Sequence, residues 1–152
     1  MFQAAIEENA MDENLEINVA GDLPAITEAK DAIEAFCARR DVPERVTLSL
    51  SLAVDELLAN VVNHGGQDPG AIPDIRLRVR LEHNQLVTEL SDSGQPFNPL
   101  AAPPPELDLD LDDKPIGGLG IHLVRQLMDD VQYRREGAYN RVTLRQRLNP
   151  AD

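Results

Sequence analysis

Three short stretches hold the residues able to do chemistry. In DELLANVVNH, Glu56 and Asn60 are four apart, which on a helix puts them on one face a turn from each other, with Asn63 and His64 continuing the stripe. Burying a carboxylate on an apolar helix is costly without a partner, so the stripe marks either a water-filled site or a face that is exposed or paired with an arginine. In a site, the Asn60 amide oxygen is a hard ligand suited to Mg²⁺, which takes few protein ligands and keeps its waters, while Glu56 can orient a nucleophile or accept its proton. In LVTELSDSGQPFNP, counting by twos from Leu86 through Thr88 and Leu90 sends Asp92 to the core face of a strand. A carboxylate buried there accepts a hydrogen bond from an exocyclic amine such as adenine N6, and Gly94 lets a flat ring approach; an ordinary Asp-Ser-Gly turn has the same residues. In GGLGIHLVRQLMDD, Gly117, Gly118 and Gly120 open a helix that each glycine weakens by about 1 kcal/mol, so the backbone there must bend tightly or lie close to something. Free N–H groups and the positive dipole end at a helix start bind anions such as phosphate without a basic side chain. Neither a G-x-x-x-x-G-K-[ST] loop nor a G-x-G-x-x-G turn after a strand is present, so neither common nucleotide fold is indicated.

The elements that must position these groups read β, α, α, β, β, loop, α, β, β. After a loose acidic start over residues 1–14, LEINVA alternates as a half-buried strand, and apolar Ile26, Ala29, Ile33 and Phe36 mark a first amphipathic helix over 24–40. Asp41 reads as the N-cap of a second helix with Pro43 just inside, ending at NHGG. That helix is apolar almost all round, which predicts that it is largely buried. DIRLRVRLEH and QLVTELSDS alternate about an HN turn, with Arg76, Arg78 and Arg80 on one face and Leu77, Val79 and Leu81 on the other. Residues 95–116 are rich in proline, with five carboxylates between Glu106 and Asp113, and read as a lid or binding loop. VQYRREG and YNRVTLRQRL close the chain as two strands about Gly137. The order predicts an α+β two-layer sandwich, a mixed, mostly antiparallel sheet with helices packed on one face.

The 152 residues make one domain, 1–152, with 42% hydrophobic residues for a single core. A net charge of −13 argues against nucleic acid and against an anionic membrane as the main partner. The acidic start is unlike a secretory signal, and no apolar run approaches membrane length, which predicts a cytoplasmic chain. Cys37 is the single cysteine and reads as a small buried hydrophobe.

Taken in order, the three stretches resemble the ATP-binding domains shared by gyrase, the Hsp90 chaperones and histidine kinases, the Bergerat or GHKL fold. The small stand-alone branch of anti-sigma factor serine/threonine kinases is the closer likeness. DELLANVVNHG resembles that family's N box, DSGQPFNP its G1 box and GGLGIHLVRQLMD its G2 box, over about Leu15 to Leu148. The resemblance implies Glu56 as general base, Asn60 as Mg²⁺ ligand, Asp92 with Gly94 as the adenine-binding pair, and Gly118, Leu119 and Gly120 as the phosphate loop. His64 and Gly65 match the end of the N box. It implies ATP and Mg²⁺, a STAS-type antagonist as protein substrate, a sigma factor as a further partner and a homodimer formed through the sheet. One departure stands out: Asn98 replaces the aspartate of Pro-Phe-Asp-Pro. Between Arg80 and Arg125 the only basic residue is Lys114, so a transferring phosphoryl group would depend on the metal and backbone N–H groups, which implies a slow kinase. The alternative within the same fold is a nucleotide-gated binding module with little or no turnover; a domain cut from a larger histidine kinase is a third reading.

Overall fold

The computed structural model describes residues 5–9, 14–19, 23–64, 73–101 and 118–149. Strands β1 (Ala5–Asn9) and β2 (Asn14–Val19) precede helices α1 (Leu23–Arg39) and α2 (Glu44–His64). The hairpin β3 (Ile75–Glu82) and β4 (Gln85–Asp92) follows, then a 3-10 turn at Pro99–Ala101, helix α3 (Gly118–Leu127), and the hairpin β5 (Asp130–Glu136) and β6 (Tyr139–Arg147). The strands form one sheet in the order β1-β2-β3-β4-β6-β5.

Every pairing among the described strands is antiparallel, so the sheet is not mixed. The reason lies in the crossovers. Two helices between β2 and β3 bring the chain back in the opposite sense, whereas one crossover helix would give a parallel neighbour. Helix α3 does carry the chain from β4 to β5, but β6 returns between them, and no parallel pair forms.

Side chains alternate across the sheet as the sequence predicts. Leu15, Ile17, Ile75, Leu77, Leu90 and Leu144 are buried on the face that α1, α2 and α3 cover, with Ile33, Phe36, Leu50, Leu58 and Val124 opposite them. Cys37 is fully buried within this core, and burial pushes its thiol pKa up. The other face carries the arginine row, which is paired across strands: Arg78 with Glu16 at 3.3 Å, Arg80 with Glu89 at 3.2 Å and Arg141 with Glu136 at 3.0 Å.

Three expectations are corrected. The start expected to be loose over 1–14 contains β1, which pairs with β2 and covers what would be an open sheet edge. Its sequence, AIEEN, gave little sign because backbone pairing, not side-chain burial, makes this strand; Ile6 is exposed. Asp41 does not cap α2. It has φ +56, and the bonds Val42 N–H to Cys37 O at 3.0 Å and Asp41 N–H to Ala38 O at 3.3 Å make it the left-handed residue of a Schellman motif closing α1, a conformation aspartate tolerates. Finally, α2, expected to be largely buried, is about half buried. Leu48, Leu52 and Val62 are exposed along its outer side, because a helix packed on a single layer leaves one face outside.

Candidate functional site

Asn60 lies on the sheet-facing side of α2, buried, and lines a cleft with Asp92, Phe97, Pro99 and Asn140. One turn earlier, Glu56 turns toward α3. A Cβ built on Gly120 would lie 1.8 Å from Glu56 Cδ and 2.0 Å from its Oε1. The glycine leaves the space that the Glu56 carboxylate fills, and a side chain at 120 would push that carboxylate away. Desolvation raises the Glu56 pKa above the ordinary carboxylate value, and the Asp55 charge adds to the shift. A carboxylate so placed is better matched to proton transfer near neutral pH than a solvated one.

In the cleft that Asn60 lines, Asp92 closes β4, buried on the core face as the alternation predicts. Its Oδ1 accepts from the Gly94 N–H at 2.9 Å and from Asn140 Nδ2 at 3.0 Å. The Asp-Ser-Gly turn and the buried acceptor are therefore one feature: the turn aims the carboxylate. Ser93 fastens the same loop to Asp74 through its N–H at 3.0 Å and its Oγ at 2.9 Å.

The structure thus brings Glu56 to Gly120, and Asn60 to Asp92 and Gly94, with α2 joining the two groups. Gly118 and Leu119 form the first turn of α3, beside Gly120. Gly117, Gly65, the His64 side chain and the part of the expected lid over 102–116 lie outside the described residues. The start of that lid is described. Pro99 is buried, Phe97 partly covers the cleft, and Arg125 of α3 donates to the Leu100 carbonyl. Phe97 and Pro99 wall the cleft beside Asp92 and Asn140. The departure at Asn98 is locally neutral: its Oδ1 accepts from Leu100 N–H at 2.9 Å, a bond an aspartate would also make.

Sequence reasoning placed the hairpin β5–β6 but missed the residues it brings to the site. Asn140 is buried, donates to Asp92 Oδ1 and Gln95 O, and accepts from Tyr133 Oη and Phe97 N–H. Arg135 Nη1 donates to Gly94 O at 2.8 Å. A signal existed. Asn140 leads the alternation Asn140, Val142, Leu144 on the core face of β6, and a buried amide among apolar residues requires partners.

The donor set fits a divalent cation held mostly by a ligand. No group of three or more His, Cys, Asp or Glu that would cage a metal occurs among the described residues, while the Asn60 amide lines the cleft one turn from the Glu56 carboxylate. Mg²⁺ suits that arrangement, since it takes one or two protein oxygens and otherwise phosphates and water.

Residues 19–146 match the model of the histidine kinase-like ATPase domain. The serine/threonine-protein kinase BtrW of Bordetella bronchiseptica is 31% identical over 132 residues, 87% of this chain and 91% of BtrW. The serine-protein kinase RsbW of Listeria monocytogenes is 35% identical over 95 residues, 58% of this chain and 59% of RsbW. Among solved structures, the RsbU and RsbW domains of Rv1364c from Mycobacterium tuberculosis share the fold with a TM-score of 0.65 at 15% identity, over 89% of this chain and 32% of that one. The histidine kinase domain of a blue-light activated kinase from Erythrobacter litoralis EL346 does so with a TM-score of 0.53 at 22% identity, over 82% and 59%. With residues 19–146 matched to that model, the chain belongs to the histidine kinase-like ATPase domain family.

Proposed function

We propose that the protein is an ATP-dependent serine/threonine protein kinase acting as an anti-sigma regulatory factor, and that it phosphorylates a small STAS-type antagonist in a cytoplasmic partner-switching system with a sigma factor as the further partner. The observation that carries this reading is Glu56, a carboxylate of raised pKa lodged against Gly120 one turn from Asn60. The names of the relatives BtrW and RsbW support it.

In this reading Asp92 accepts the adenine amine and the backbone N–H groups at the start of α3 take phosphate oxygens. Asn60 would hold Mg²⁺, which when bound neutralises phosphate charge. Glu56 accepts the proton of the attacking hydroxyl as its oxygen bonds to the γ-phosphorus and the bond to the β-phosphate bridging oxygen breaks, releasing ADP. A homodimer through the open sheet face belongs to the same proposal and is checked by sedimentation.

A second reading, a nucleotide-gated binding module, rests on the acidic 106–113 stretch and on Lys114 being the single lysine or arginine between Arg80 and Arg125. Phosphotransfer from γ-labelled ATP with Mg²⁺ into extract of the source cell, wild type against Glu56→Ala, separates the two. One small labelled protein that disappears with the variant is expected. Equal labelling by both proteins would remove Glu56 from the mechanism, and no labelling with intact ATP binding would establish the gated module.

A further inference from the structure

We infer that Asn140 is a positioning residue that sets base selectivity by fixing which oxygen of Asp92 meets the ligand; the inference rests on Asp92 reading the base. Four hydrogen bonds converge on this one amide, which is 4% exposed. Two of the partners are backbone groups of fixed sense. The Phe97 N–H can only donate, and it lies 3.2 Å from Oδ1; the Gln95 carbonyl can only accept, and it lies 2.9 Å from Nδ2. Together they determine which end of the amide is oxygen and which is nitrogen. The Tyr133 hydroxyl, 2.6 Å from Oδ1, reinforces the same orientation.

With the amide so oriented, Nδ2 donates to Asp92 Oδ1, where the Gly94 N–H also arrives. Both bonds that the described residues make to Asp92 fall on that oxygen. The carboxylate is held against rotation, and Oδ2 is the oxygen left to accept from a ligand in the cleft. An acceptor fixed in this way suits a 6-amino purine. A 6-keto purine sets oxygen against oxygen and leaves a buried polar group unpaired, which recognition sites of this kind reject strongly.

Asn140→Asp reverses the logic at one atom. It keeps an acceptor for Phe97 N–H and Tyr133 Oη but places a carboxylate oxygen where Nδ2 stood, 3.0 Å from Asp92 Oδ1. Two carboxylates that close share a proton between them, so Asp92 loses both the anchoring donor on Oδ1 and its full charge, and with them the fixed acceptor that favours an amino over a keto group.

The test is equilibrium binding of ATP and of GTP to the full chain, for the wild type, Asn140→Asp, Tyr133→Phe and Asp92→Ala. The wild type is expected to prefer ATP, and Asn140→Asp to narrow the ATP-to-GTP affinity ratio by about 10- to 100-fold. Tyr133→Phe should narrow it in the same direction by less, since the two backbone groups still hold the amide. Parallel loss of both affinities in Asn140→Asp with the ratio unchanged would overturn the inference and leave Asn140 a purely structural residue. If that variant does not fold, Asn140→Ala, which removes the donor that holds Asp92 Oδ1, is read in its place, and an unchanged ratio again overturns the inference. Wild-type ATP affinity in Asp92→Ala would instead overturn the nucleotide reading on which the inference stands.

Discussion

The two parts of the candidate site, around Asp92 and around Glu56, are built differently. Around Asp92, a loop of a few residues is tied down from three directions: Asp74 holds Ser93, Arg135 holds Gly94 and Asn140 holds Asp92, Gln95 and Phe97. Around Glu56, one close approach to Gly120 does the positioning, and the chain entering α3 comes from the 102–117 segment. The difference separates two tasks. Recognition of a flat base gains from groups already held in place, which reduces the ordering cost of binding. In the proposed kinase, phosphoryl transfer depends on where one carboxylate sits, and the space left by Gly120 sets that position.

If the two parts are separable, mutations should split binding from turnover. The largest effect belongs to Glu56→Ala, expected to lower phosphotransfer by about 10²- to 10⁴-fold while ATP affinity, measured by titration, stays within a few-fold. Gly120→Ala sharpens the comparison. The added methyl displaces the Glu56 carboxylate, and a misplacement on this scale lowers turnover by about 100-fold in single-turnover kinetics, with a smaller change in ATP affinity. Asp92→Ala acts on the other part and should weaken ATP binding by at least about 10- to 100-fold through loss of a charge-assisted acceptor. Asn98→Ala removes the acceptor for Leu100 N–H and should cost about 0.5–1 kcal/mol of stability by urea unfolding, whereas Asn98→Asp should be neutral.

The smallest effect is a pH dependence. Folding raises the Glu56 pKa, so its contribution to stability is complete below the ordinary carboxylate range and is lost as pH rises through the raised value. Glu56→Gln should therefore melt with the wild type at acid pH and above it at neutral pH. In the wild type, the acid limb of the rate against pH should lie above the usual carboxylate range.

Much of this was legible because the fold repeats simple periods. The alternation of β3 and β4 places Leu77, Leu90 and Asp92 on the covered face, and the i, i+4 spacing places Glu56 and Asn60 on one side of α2. What was not legible depended on contacts distant in sequence. Asn140 meets Asp92 across 48 residues, and its alternation with Val142 and Leu144 says that it needs partners but not which ones. Asp41 looked like a cap because caps and left-handed turns favour the same residue type, and only φ separates them. Strand β1 escaped because an edge strand held by backbone bonds needs no apolar pattern.

The most direct test of the central claim measures ATP binding and γ-phosphate transfer in parallel on the wild type, Glu56→Ala and Asp92→Ala. Transfer lost with binding kept in the Glu56 variant, and binding lost in the Asp92 variant, is the predicted result. A Glu56 variant that transfers at the wild-type rate, or that loses ATP affinity as deeply as the Asp92 variant, would contradict the account.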